Sequence, residues 1–247
     1  MPTGVNNSKK YTYVWVSLVI LVFGIIFIPR IVNRLKNKSV VQKHRLADTN
    51  TISDLSFIVN NGKKRKVPAF SFLNQDSLLV SNEDYLGKVY VVDFFFTTCP
   101  TICPIMTKNL VELQETFKEN DAFGVASFTI NPRYDTPTIL KKYAEKYGVT
   151  DMDWHLMTGE QDEIYKLSRE GFYILANEAV DAPGGFEHSG MFALVDKQGY
   201  IRSRNDRFGN PLIYYRGTIT EKQGVNDEGE AQQITMLKED IKKLLIE

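Results

Sequence analysis

The chain is poor in the residues that carry most protein chemistry. Among 247 residues there are two cysteines, Cys99 and Cys103, and three histidines, His44, His155 and His188. Two cysteines cannot build the disulfide framework of a small secreted domain; they can make one redox pair or part of one metal site. Net charge is also missing: thirty basic residues balance thirty acidic ones, which removes the electrostatic case for a nucleic-acid partner. No internal repeat is visible. A hydrophobic content of 43% is enough for one domain with a core, or at most two small ones.

What is present begins at the N-terminus. After a short tail (1–10), residues 11–28, YTYVWVSLVILVFGIIFI, are uncharged and almost wholly apolar. A helix of that length can cross a hydrocarbon core of ~30 Å. Tyr11, Tyr13 and Trp15 stand where an aromatic belt would anchor it. A cleaved signal peptide is the competing reading, but the run is long and no A-x-A-like site follows it. A retained single transmembrane anchor is therefore expected. Lys9 and Lys10 precede the run, and Arg30, Arg34, Lys36 and Lys38 follow it. A plain count of these charges keeps the following domain in the cytoplasm, but long domains translocate largely regardless of charge. Residues 29–50, which hold His44, read as a basic juxtamembrane linker. Residues 51–247 read as the folded domain.

Within that domain, Asn61-Gly62 is a hairpin-turn dipeptide, so the KKRK at 63–66 reads as a solvated hairpin arm. PAFSFLNQDSLLV (68–80) suggests short strands around a polar turn. KVYVVDFFF (88–96) is a continuous apolar run, as in a central strand buried on both faces. Helical spacing over 104–118, a second buried strand over 123–130 and a helix capped by Thr136 and stopped by Gly148 follow. A short strand at 154–157, a helix over 161–169, a hairpin at 191–195 and 200–202 and a C-terminal helix over 232–246 complete the reading. Alternating strands and helices predict an α/β sandwich with a mixed sheet. The polar stretch 204–230 reads as a long surface loop with no assigned role.

Both cysteines lie in FFFTTCPTICPIM (94–106), just past the predicted central strand. Functional groups of α/β folds gather at such strand ends. A proline disfavours helical geometry in the residue before it. The next helix is therefore expected to start at Pro104, with Cys103 as N-cap and both sulfurs in an open, solvent-facing loop. Backbone N–H groups and the helix dipole there would acidify both thiols. Three readings stay open: inert or disulfide-bonded structural cysteines, a thiol–disulfide exchange site, or a soft-metal site favouring Cu(I) or zinc. A metal site needs a third ligand. His44 reads as solvated and His155 as structural. His188, at the end of a glycine-rich loop entering a strand, is the leading candidate. Met106 and Met191 read as core packing.

Four stretches together resemble the Sco/SenC family: FFFTTCPTICPIM, INPRYDTP (130–137), HLMTG (155–159) and FEHSGMFALVDKQGYIR (186–202). The resemblance runs from about Pro68 to the C-terminus. It implies a thioredoxin-like α/β fold, a mixed sheet flanked by helices, behind a single N-terminal transmembrane helix. It also implies copper, Cu(I) or Cu(II), on Cys99, Cys103 and His188. The function implied is that of a membrane-anchored copper chaperone that receives copper from a donor protein and helps assemble the CuA centre of cytochrome c oxidase subunit II. The domain would then face the periplasm, or the equivalent mitochondrial intermembrane space, with membrane lipid met through the anchor. There are departures. Asn131 and Tyr134 stand where acidic and basic residues are usual, Thr101 replaces an acidic residue common between the cysteines, and 204–230 is longer than usual. Asp135 reads as loop structure. The main alternative is a thiol–disulfide oxidoreductase using Cys99 and Cys103 as catalytic residues to keep the target's cysteines reduced. A peroxidase, with Arg133 as supporting arginine, is a weaker third.

Overall fold

The structure is a computed structural model that describes residues 14–25, 28–29, 55–179, 181–206 and 208–247. The chain divides into two compact units, Met1–Ala47 and Asp48–Glu247. In the first, residues 14–25 form a helix (α1) whose apolar side chains are almost all exposed. At 1.5 Å per residue it is ~18 Å long. Among the described residues, no helix is long and apolar enough to cross a membrane. Of the run 11–28 expected as a transmembrane helix, residues 14–25 and 28 are described, all helical, and they do not by themselves make a membrane span. Residues 11–13 and 26–27, His44 and nearly all of the expected linker lie outside the described residues.

The second unit is described from Leu55 and opens with three short strands: β1 (Ser56–Phe57), β2 (Val59–Asn60) and β3 (Lys63–Lys64). β2 and β3 form the expected hairpin, turning through Asn61 and Gly62 at φ 49° and 75°. Positive φ at both positions is what a two-residue hairpin turn demands and what Asn-Gly supplies. β4 (Ser71–Leu73) and β5 (Leu79–Ser81) follow as a second hairpin. Asn74 Oδ1 holds the turn between them by accepting from the N–H of Asp76 and of Leu78.

β6 (Val89–Phe95) and β7 (Phe123–Thr129) are buried along their whole length, as continuous apolar runs predict. They pair in parallel, and β7 pairs in parallel with β8 (Trp154–Met157). The connections are α2 (Cys103–Phe117) and α3 (Pro137–Tyr147). Thr136 precedes α3 as expected, and Gly148 ends it at φ 79°, its N–H donating to Ala144 and Glu145. Side chains alternate across β6. Phe94 stacks with Phe128 and meets Phe172 on one face (5.4 and 5.8 Å), while Phe95 meets Tyr143 of α3 (5.4 Å) on the other. The core therefore occupies both faces of one sheet.

α4 (Gln161–Lys166) is shorter than the helix expected over 161–169. It continues as a π-helix over Leu167–Phe172 that stops at Tyr173, φ 52°. The wider turn carries Phe172 to full burial against Phe94. β9 (Ala176–Glu178) and β10 (Phe186–His188) form an antiparallel hairpin. β11 (Met191–Val195) pairs with β6 on one side, and with β12 (Ile201–Ser203) and β13 (Tyr215–Arg216) on the other. The main sheet runs β1-β12-β11-β6-β7-β8, with β13 added on β11, and is mixed as expected. α5 (Ile234–Ile246) closes the chain. The region 204–230 is not a plain loop, since it contributes β13 to the sheet. Two paired residues have too little period to be read from sequence.

Candidate metal centre

Cys99 lies just beyond the C-terminal end of β6, in a turn where its N–H donates to Phe96 O (3.2 Å). Helix α2 starts at Cys103 itself, with Ile102 as N-cap (φ −88°, ψ −34°). This corrects the expected start at Pro104. The carbonyl of Ile102 accepts from the N–H of both Ile105 and Met106 at 3.0 Å, which holds Cys103 in the first turn. Pro104 sits in that turn too, where a missing N–H costs nothing. Of the two sulfurs, only that of Cys99 lies in a loop.

His188 arrives from the other side of the site on β10. Its hairpin turns through Gly184 and Gly185, at φ 80° and 83°. Phe96, fully buried, lies between the two sides, with its ring 5.1 Å from Phe186 and 5.7 Å from the His188 ring in edge-on contact. Nε2 of His188 is 3.2 Å from Cys103 Sγ and 4.0 Å from Cys99 Sγ. The three donor atoms all lie within 4.8 Å of one another. Among the described residues this is the one such cluster of cysteine, histidine and carboxylate groups. The three residues singled out from sequence are therefore brought together.

The electrostatics differ from expectation. Neither cysteine is in a disulfide and both are buried, Cys99 at 7% exposure and Cys103 at 0%, so the site is not the open loop expected. The two thiols also diverge. A hydrogen bond from the Cys103 thiol pulls the Cys99 pKa down to about 3, helped by His188 and by the backbone N–H groups of Cys103 and Thr101. Burial pushes the Cys103 thiol up, and the Cys99 charge beside it adds to the rise. The neighbouring thiol, more than the helix N-terminus, stabilises the Cys99 thiolate, and burial keeps the proton on Cys103. The Thr101 hydroxyl lies 3.6 Å from Cys99 Sγ.

These donors fit a soft metal: two sulfurs, one of them a thiolate, and an imidazole nitrogen directed at both. The second ring nitrogen of His188, Nδ1, is buried without a hydrogen-bond partner. The other candidates take structural places. His155 lies in β8, with Nδ1 3.2 Å from the Asn74 amide, and burial lowers its pKa, which keeps the ring neutral. Arg133 is 78% exposed and pairs with Glu178 at 3.7 Å. Met106 is buried in the core. Asp135, fully buried, accepts from the Thr97 N–H (3.0 Å) and from the hydroxyls of Thr97 and Thr129. It thereby ties the strand end before Cys99 to the end of β7, the loop role expected of it. Sequence reasoning missed Phe96 as the packing partner of His188. It also missed Gly190, at φ 63° just after His188 in the quoted H-S-G, whose glycine was the available signal.

Comparison with known proteins agrees with this geometry. The SCO1/SenC family model matches residues 59–215. The SCO1 protein homolog of Bacillus subtilis (strain 168) is 37% identical over 141 residues, covering 55% of this chain and 71% of that protein. A solved structure of BsSco, described as a member of the Sco family of cytochrome c oxidase assembly proteins and as holding a disulfide switch, superposes with a TM-score of 0.60. It is 29% identical and covers 79% of this chain and 98% of its own. Bradyrhizobium japonicum ScoI, solved with copper bound, shares the fold at 20% identity, with a TM-score of 0.55 over 73% of this chain and 99% of that one. With the family match spanning more than half its length, around a cysteine pair and a histidine that meet in space, this chain belongs to the SCO1/SenC family.

Proposed function

We propose that the chain carries copper as cargo on Cys99, Cys103 and His188, and passes it towards the CuA centre of cytochrome c oxidase subunit II. The observation that carries this reading is the convergence of two sulfurs and one imidazole nitrogen within 4.8 Å, from segments 85 residues apart. Thiolate sulfur favours Cu(I) over harder ions, and the imidazole suits either copper state. Ligands must be deprotonated to bind a metal. With the Cys99 thiol lowered to about 3 and the Cys103 thiol raised by burial, loading has to displace the Cys103 proton. Residues 51–247 form the copper-binding domain. The apolar run 11–28 anchors it to a respiratory membrane, with the domain on the oxidising side. Copper titration of the reduced chain tests the ligand set. His188→Ala should weaken Cu(I) binding and change the Cu(II)–thiolate absorption. If both stayed as in the parent, the three-ligand reading would fail.

A second reading is favoured by the contrast between the two thiols. The Cys99 thiolate can attack a target disulfide, forming a mixed disulfide and expelling one target thiolate. Cys103, losing its proton, then attacks Cys99 Sγ and expels the second. The target gains two electrons and the chain ends with a Cys99–Cys103 disulfide. Stoichiometric reduction of a disulfide substrate by the reduced, metal-free protein, retained in His188→Ala, would mark this reductase. Absence of that reduction leaves copper carriage alone.

A further inference from the structure

The two sides of the site come from distant parts of the chain, and Gly217–Ile219, just past the family match, lies against both. Asn109 sits on α2, downstream of Cys103, and is fully buried. Its Nδ2 donates to Gly217 O (2.8 Å) and Ile219 O (3.1 Å). The N–H of Gly217 in turn donates to Gly190 O (2.9 Å), in the turn that follows His188. There is no slack between these parts. A Cβ on Gly190 would lie 2.4 Å from Thr218 Cγ2 and 3.2 Å from Cδ1 of Ile102, the residue that caps the Cys103 helix. A Cβ on Gly217 would lie 2.6 Å from the Phe192 ring. Beyond Ile219, Lys238 Nζ bridges Glu221 (2.7 Å) and Glu112 of α2 (2.6 Å), a second tie to the same helix.

We propose that Asn109 and the Gly217–Ile219 strap position the His188 turn against the cysteine helix, and so set the distance of the imidazole from the two sulfurs. The inference rests on the copper-site reading above. Its physical basis is that β9 and β10 are three residues long and cannot by themselves fix His188 relative to α2. Asn109 is costly to keep at a core position, because its Oδ1 is buried without a partner. A leucine there would fill the space but leave two strap carbonyls unpaired. Asn109 touches neither the sulfurs nor the imidazole, so it is a positioning residue.

The test is a double-mutant cycle on Cu(I) affinity, with parent, Asn109→Ala, His188→Ala and the double variant, beside amide hydrogen exchange of the metal-free chains. Asn109→Ala should weaken Cu(I) binding by about threefold in the parent, less than His188→Ala does, and cause no further loss once His188 is gone. In metal-free protein it should speed exchange at 186–192 and 215–219 together, leaving β6 and β7 protected. Equal weakening in both backgrounds, or unchanged exchange at 186–192, would overturn the proposal. If the parent binds no copper, the carriage reading fails, and the exchange arm alone decides the strap. Should Asn109→Ala not fold, Thr218→Gly trims the methyl over Gly190; it should move both readouts the same way and less, and no movement would count against the strap.

Discussion

The cysteine side and the histidine side of the site are built in opposite ways. Cys99 and Cys103 hang between a seven-residue strand buried at every position and a fifteen-residue helix. His188 ends a three-residue strand that follows two glycines at positive φ, and its ring is only partly buried. One side draws its position from the deepest part of the core. The other borrows its position from neighbours: the Phe96 ring, the Ile102 side chain and the strap at 217–219. The difference teaches that one half of a site can take its position from the core while the other depends on braces placed far away in the chain. Local opening concentrates where elements are short and exposed.

The largest way to break the comparison is Phe96→Ala, which removes the ring shared by both sides. Emptying a fully buried phenylalanine site should cost about 3–5 kcal/mol in urea unfolding. A loss below ~1 kcal/mol would show that the two sides do not lean on it. Next come the ligands themselves. Cys103→Ser should weaken Cu(I) binding on the order of 100-fold and His188→Ala on the order of 10-fold, measured by competition with a Cu(I) chelator. The reverse order would make the histidine side dominant.

A third prediction concerns Asp93, on β6 of the cysteine side. Burial raises its pKa from 3.8 to about 7, although the Ser127 hydroxyl donates to it at 2.5 Å. Between these values the folded chain holds a proton that the unfolded chain has released. Its contribution to stability therefore falls as pH rises from about 4 to about 7. Asp93→Asn should flatten that slope in unfolding curves taken across the range; an unchanged slope assigns it to other groups. Fourth, Gly184→Ala strains the turn before His188 and presses on the ring shared by both sides. The residue has φ 80°, and an added Cβ would lie 2.7 Å from Phe96 Cε2. A cost of about 1–3 kcal/mol is expected in urea unfolding; no measurable cost would show that the ring and turn yield freely. The smallest effect is spectroscopic. Thiolate absorbance should report one thiolate persisting at neutral pH and disappearing only near pH 3, the value to which Cys99 is lowered. Loss of that absorbance around pH 8–9 would return Cys99 to the ordinary thiol range.

Much of the fold was legible because its signals are local. Continuous apolar runs at 88–96 and 123–130 predicted β6 and β7, and Thr136-Pro137 with Gly148 bounded α3 to the residue. The cysteine loop was legible in outline but not in detail. Proline's effect on its predecessor is a preference, and the Ile102 carbonyl overrode it, so Cys103 entered the helix. The helix dipole was expected to act equally on both thiols. Burial, which no sequence pattern reports, divided them instead. The 204–230 stretch was illegible because its structure rests on side-chain anchors such as Asn109 and Lys238, placed far away in the chain.

By itself the sequence determined the inventory: two cysteines at one strand–helix junction, one histidine in a glycine-bearing hairpin, and the strand runs that carry them into one layer. Those follow from backbone preference and hydrophobic pattern, which act over a few residues. Only the tertiary structure decided that His188 meets both sulfurs, that one thiol holds the charge while the other holds the proton, and that a polar segment braces the histidine turn. Each of these depends on distance and burial between groups far apart in the chain. Coulombic and desolvation energies take their size from that geometry, and it exists only after the sheet has closed.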